Sequence, residues 1–148
     1  MKIYVAGKTH DFERVRRVQA ACQRLGHTIT FDWTETVEAY ENPGDGHDFD
    51  ALTPEFKAEC GENDFMGVAS AELVIALVEH EHITGTLIEI GMALALYKDV
   101  WLVGKPKRDS VFYYLPQVKQ KFSSVYDIIH HLPFHLEDNS TSGVGFPD

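Results

Sequence analysis

Cysteine is nearly missing: Cys22 and Cys60 are the only two in 148 residues. Their spacing does not suit a metal, and two thiols cannot build the disulfide framework of a small secreted scaffold. No signal-peptide pattern precedes them, so a cytoplasmic protein with reduced thiols is expected. Basic residues are scarce too. Against 23 Asp and Glu stand 13 Lys and Arg, a formal net charge of −10, which excludes broad, sequence-independent nucleic-acid binding for want of a basic footprint. A small anionic ligand held by N–H groups and one or two cations remains compatible with that balance. The apolar runs are too short to cross a membrane, and neither internal repeats nor low-complexity blocks occur. What is present, 44% hydrophobic and 24% charged residues, describes an ordinary globular domain large enough to bury a core.

The apolar runs alternate with helical patterns. "KIYVAG" opens the chain as a buried strand that stops at a glycine. From Asp11 to Leu25, Phe12, Val15, Val18, Ala21, Cys22 and Leu25 recur at helical spacing, with Asp11 placed to cap and Gly26 to terminate. "HTITFDW" reads as a second strand, and Thr34–Asp50, centred on "NPGDG", as a long polar loop. Thr53-Pro54 supplies an N-cap and a first-turn proline for a helix towards Ser70, whose continuity Gly61 and Gly67 leave open. "ELVIALVE" is apolar enough for the centre of a parallel sheet. "HEHIT" then leads into a helix over Gly85–Leu96, and "DVWLVG" is a fourth strand. In "KPKRDSVFYYLP" a loop carries an aromatic cluster suited to packing on another surface. A short strand over Lys119–Phe122 and a helix over Val125–Leu132, opened by the weak capping box Ser124–Asp127, complete a single domain over residues 1–132. Residues 133–148 lack periodicity and are expected to form a mobile tail.

Strands alternating with helices predict an α/β fold: a three-layer, doubly wound, flavodoxin-like parallel sheet in the order 2-1-3-4-5. Such sheets bind ligands beyond the carboxyl ends of their strands, where the strand order reverses. The loops "GKTH", "DWTE" and "HEHITGT" all fall on that edge. Gly7, Lys8, Asp32 and Trp33 are therefore candidate substrate contacts, Trp33 as an aromatic surface for a flat ligand.

"GTLIEIGMALAL" is apolar almost all the way round yet carries Glu89, and a buried, unpaired carboxylate is expensive. Thr86-Leu87-Ile88-Glu89 fits a capping box; a functional carboxylate at the rim of the cleft fits equally well. Asp64 in "ENDFMG" is a possible partner, because two carboxylates can share nucleophilic attack and proton delivery at a sugar; a solvated helix residue is the alternative. For Tyr4 core packing suffices. His80 and His82 flank Glu81, but a third metal ligand is missing, so this segment reads as an exposed loop.

Together "MKIYVAG", "GHTITFDWT", "ASAELVIAL" and "GTLIEIGMALAL" resemble the nucleoside 2-deoxyribosyltransferase family, which also includes nucleotide N-glycoside hydrolases. The resemblance runs from Met1 to about Val103, and "GTxxEIG" after an apolar strand is its most specific element. It implies that Glu89 is the nucleophile attacking C1′, that Asp64 binds or protonates the leaving base, and that Tyr4 positions the nucleophile. Gly85 and Thr86 would line the sugar site. The chain departs from the family at Glu72, where Asp is frequent, and after Lys105, where the transferase C-terminus is not matched.

The expected function is cleavage of the N-glycosidic bond of (deoxy)nucleosides through a glycosyl-Glu89 ester, with transfer to another base. Hydrolysis of a nucleoside 5′-monophosphate and a non-catalytic nucleotide-binding module are the alternatives. This chemistry needs no metal and no organic cofactor. The apolar helix and "VFYYLP" together offer more hydrophobic surface than one domain covers. A homodimer or dimer of dimers, with Tyr113 or Tyr114 near a neighbour's cleft, is therefore expected.

Overall fold

The structure is a computed structural model and describes residues 1–40 and 51–133. Strands β1 (Lys2–Ala6), β2 (Thr28–Ile29), β3 (Leu73–Leu77), β4 (Asp99–Val103) and β5 (Val118–Phe122) form one sheet in the order β2-β1-β3-β4-β5. Every pairing is parallel. Helices α1 (Phe12–Arg24), α2 (Trp33–Tyr40), α3 (Pro54–Ser70), α4 (Thr84–Ala95) and α5 (Val125–Ile129) connect and flank the strands. This is the doubly wound α/β arrangement that the alternation of patterns predicts. All five residues of β3 are buried, between β1 and β4, which explains why its sequence has no polar position.

Local chemistry sets the helix ends. Helix α1 turns Val15, Val18, Ala21 and Cys22 inward. It closes on Gly26 at φ +86°, with Gly26 N–H donating to Gln23 and His27 N–H to Cys22, both at 3.0 Å. That pair of bonds needs a left-handed residue, hence glycine. In α3, Thr53 Oγ1 accepts from Phe56 N–H at 3.1 Å, and the helix runs unbroken through both glycines. A Cβ at Gly67 would lie 2.8 Å from the Tyr4 ring and from Phe31 Cβ. Only glycine lets α3 lie so close to β1.

Four expectations change. The strand read in "HTITFDW" is limited to Thr28–Ile29; Thr30 N–H still donates to Ile3 O at 3.0 Å, and beyond it the chain turns towards α3, where the Thr30 hydroxyl donates to Gly67 O at 2.7 Å. The segment from Thr34 begins as helix α2, not as loop, while residues 41–50 lie outside the described residues. Asp32 opens this helix by accepting from Thr34 N–H at 3.0 Å. Arg16 holds the helix to α1 through Thr34 Oγ1 at 2.9 Å and Glu38 at 2.5 Å. Helix α4 starts at Thr84 with Ile83 at its N-cap. Thr86 therefore lies inside the first turn, and Thr86–Glu89 is no capping box. Helix α5 has the expected Ser124–Asp127 box but ends at Ile129. The expected tail falls, beyond Pro133, outside the described residues. Among the described residues no helix is long and apolar enough to cross a membrane.

Candidate active site

Beyond the carboxyl ends of β1 and β3 lies a cleft of about 420 Å³, a size typical of small-molecule sites. Gly7 and Lys8, at the end of β1, line one side; Phe31, Trp33, Thr36 and Val37 line another. Cys60 and Asp64 enter from one face of α3, four residues apart, and Gly85, Thr86 and Glu89 from the first turns of α4.

Sequence distance had kept Tyr4, Asp64 and Glu89 apart; the fold brings them together. Tyr4 sits on β1 beneath the cleft, fully buried. Its phenol pKa is raised far above its ordinary value, by burial first and then by Glu89 and Asp64. Burial pushes the Glu89 carboxyl up to about 8, opposed by the Tyr4 hydroxyl and reinforced by the Asp64 charge. Asp64 is pushed up to about 6, again by burial and against the pull of Tyr4. The Tyr4 hydroxyl thus faces both carboxylates, yet among the described residues it makes no hydrogen bond of full geometry, and neither does Glu89 Oε2. Thr86 Oγ1, one turn before Glu89, is buried and likewise has no partner among the described residues. Native folds rarely leave three such groups together, and those that do usually reserve them for a ligand or for chemistry.

The other predicted contacts divide. Trp33 lines the cleft with its indole N–H fixed on Val5 O at 2.8 Å, so its ring cannot swing away. Lys8 lines the cleft and donates to Glu81 O at 3.1 Å, which ties the β1 loop to the β3–α4 loop. Asp32 does not line the cleft. Gln19 and Thr34 hold its carboxylate at the start of α2. Phe31, Thr36, Val37 and Cys60 line the cleft without having been singled out. The D-x-x-E pattern at Asp32–Glu35 was the signal for α2, and the helix carries Thr36 and Val37 into place.

His80 does find neighbours: its Nε2 lies 2.8 Å from Asp11 Oδ2, and Glu79 stands close by. Arg14 pairs with both carboxylates, at 3.0 Å from Asp11. A guanidinium already placed between these acids makes the group a clamp joining the β3–α4 loop to α1.

The sequence profile of the nucleoside 2-deoxyribosyltransferase family matches residues 3–140. The chain belongs to that family. It is accordingly an enzyme of N-glycosyl chemistry. Among solved structures it is similar to the 2-deoxyribosyltransferase of Bacillus psychrosaccharolyticus, with 21% identity over 92% of this chain and 100% of that one, at a TM-score of 0.64. It is also similar to the CMP N-glycosidase BcmB of Clostridium botulinum, with 14% identity over 88% of this chain and 97% of that one, at a TM-score of 0.60. At such identities these two likenesses speak for the fold. No curated protein sequence matches significantly.

Proposed function

We propose that this member of the family cleaves the N-glycosidic bond of a (deoxy)nucleoside unit by double displacement. The observation that carries the reading is the convergence of Glu89 and Asp64 on one cleft, with the buried Tyr4 hydroxyl facing both. The Glu89 carboxylate attacks C1′, the C1′–N bond breaks, and Asp64 gives a proton to the departing base. A second base then displaces Glu89 from the glycosyl ester, completing transfer; water in its place gives hydrolysis.

The proton inventory is one. Burial raises both carboxyls above their ordinary values and so favours a proton retained by the pair. Attack needs that proton on Asp64, with Tyr4 donating to the ionised Glu89. Gly7, Lys8, Gly85 and Thr86 surround the sugar, while Phe31 and Trp33 offer faces for the base. No metal or organic cofactor enters this scheme. Family membership weighs against a silent nucleotide-binding module.

The assembly we propose is a homodimer or dimer of dimers. An apolar groove of about 560 Å³ lies between α4 and the turn at Val111–Tyr114, with Leu87, Ile88, Val111 and Phe112 exposed. Tyr113 is covered within its own chain, which leaves the exposed Tyr114 to approach a neighbour's cleft. Free Cys22 and Cys60 suit a reducing, cytoplasmic setting.

The test is incubation with a panel of nucleosides and their monophosphates, with and without a second base, followed by mass spectrometry of the denatured protein. A sugar adduct on Glu89 supports double displacement. Turnover that survives in folded Glu89→Ala protein overturns it.

A further inference from the structure

We propose that Cys60 is a site of reversible modification by low-molecular-weight disulfides, and that the mixed disulfide formed there shuts the ligand out of the cleft. The inference goes beyond the glycosidic reading above and rests on it only for the loss of turnover. The chain has two thiols. Cys22 is fully buried on the inner face of α1, whereas Cys60 is half-buried and lines the cleft. No step of the double displacement uses that thiol. A separate observation marks the cleft as the place of a ligand. The Thr86 hydroxyl lines it, is 2% exposed and has no partner among the described residues.

Position is what makes the thiol matter. Cys60 and Asp64 stand four residues apart on α3, so they share one face of the helix, roughly 6 Å apart along its axis. A group bonded to Cys60 Sγ therefore enters from the wall that carries Asp64, where the leaving base has to lie. The opening has room for it. Gly85 on the α4 wall adds no side chain, and a Cβ there would have nothing within 4 Å among the described residues. The appended group and a nucleoside then compete for the same space of about 420 Å³.

Burial raises the Cys60 pKa, and the carboxylates of Asp64 and Glu59 raise it further. The group is thus held as the thiol and exchanges slowly, although its thiolate, once formed, is the stronger nucleophile for that high pKa. The step is a thiol–disulfide exchange. The Cys60 thiol gives its proton to solvent, and Sγ attacks one sulfur of a disulfide RS–SR. The S–S bond breaks, and RS⁻ leaves and takes up a proton. Cys60 is oxidised to the mixed disulfide while the departing half of the reagent is reduced to RSH. Excess free thiol runs the exchange backwards and reopens the cleft.

The experiment treats the full chain with bis(2-hydroxyethyl) disulfide, a small neutral reagent, and locates adducts by peptide mass spectrometry without reduction. One adduct should form, on Cys60, with Cys22 free as long as the protein stays folded. Binding is measured on Glu89→Gln protein, which does not consume its ligand, with 2′-deoxycytidine, 2′-deoxyadenosine and their 5′-monophosphates. Modification should weaken the tightest of these by about tenfold or more, and dithiothreitol should restore it. The same ligand at saturation should slow adduct formation. With Cys60→Ser or Cys60→Ala added, affinity should be the same before and after treatment, whatever its starting value. An adduct on Cys60 that leaves binding intact overturns the proposal. So does a loss that persists in both cysteine variants, an adduct on Cys22 alone, the lack of any adduct, or a rate indifferent to bound ligand. Binding of none of the four ligands overturns both readings. Wild-type turnover separates them. Cleavage that continues in fully modified protein keeps the glycosidic reading and sinks the thiol gate. Ligand binding that modification abolishes, in a protein that cleaves no nucleoside or nucleotide, does the reverse.

Discussion

Two groups of ionisable side chains stand on the same edge of the sheet and differ in every respect that matters. Around His80, Asp11, Arg14 and Glu79 satisfy one another's charges at the half-exposed rim. Around Tyr4, Asp64 and Glu89 have been taken out of water with no ion pair among the described residues, and there two of the three residues keep an unpartnered polar atom. The first group is complete as it stands and fastens two loops. The second is finished only by something that enters the cleft. Charge pairing costs little at a rim, whereas unpaired buried carboxyls lower stability and persist where chemistry needs them.

The sharpest way to break this contrast is at Glu89. Glu89→Gln should abolish turnover, yet melt at a higher temperature than the wild-type protein. The sign follows from proton linkage. The folded-state carboxyl is raised to about 8 from an ordinary 4.5, so the folded state holds the extra proton and stability falls as pH rises between those values. The gain from Glu89→Gln should therefore grow from pH 5 to pH 8 in thermal unfolding. A loss of about 1 kcal/mol at every pH would instead mark Glu89 as a cap.

Asp64→Asn comes next. Loss of a general acid should slow reaction by about 10²–10⁴-fold with poorly leaving bases, and much less with activated ones. Equal slowing across a leaving-group series would reduce Asp64 to a binding residue.

The pH profile should be bell-shaped, with limbs near 6 and 8 that belong to the pair and not to either residue. Below the acid limb both carboxyls hold protons and the nucleophile is lost. Above the alkaline limb neither does, and the leaving base gets no proton. Each limb should fall about tenfold per pH unit, and Asp64→Asn should remove the alkaline one.

The smallest effect lies in the paired group. Arg14→Met should cost about 1 kcal/mol in denaturant unfolding, while both limbs of the pH profile stay in place. A shifted limb would mean that the two groups are electrostatically one.

Much of the fold was legible because it is written in local patterns. The buried β3, the amphipathic α1 and the caps at Thr53 and Ser124 all read correctly from neighbouring residues. Helix α2 was missed since its apolar stripe, Trp33 and Val37 one turn apart, is short and leads into the turn-rich "NPGDG"; it is held by Asp32 at its start and by Arg16 from α1. The same oversight left Asp32 among the candidate contacts, when its carboxylate is already used at the start of α2.

The sequence by itself determined the strand–helix alternation and the oddity of a carboxylate in an apolar helix. It did not determine what Glu89 faces. Asp64 and Tyr4 are 25 and 85 residues away along the chain, and no periodicity links them. Two packing events decided their meeting: the parallel pairing of β1 with β3, and the close approach of α3 that Gly67 permits over the Tyr4 ring. Local propensity acts over a few residues, so it fixes where elements start and stop. Desolvation depends on which elements cover one another, so only the tertiary structure could turn two ordinary acids into a pair that shares a proton.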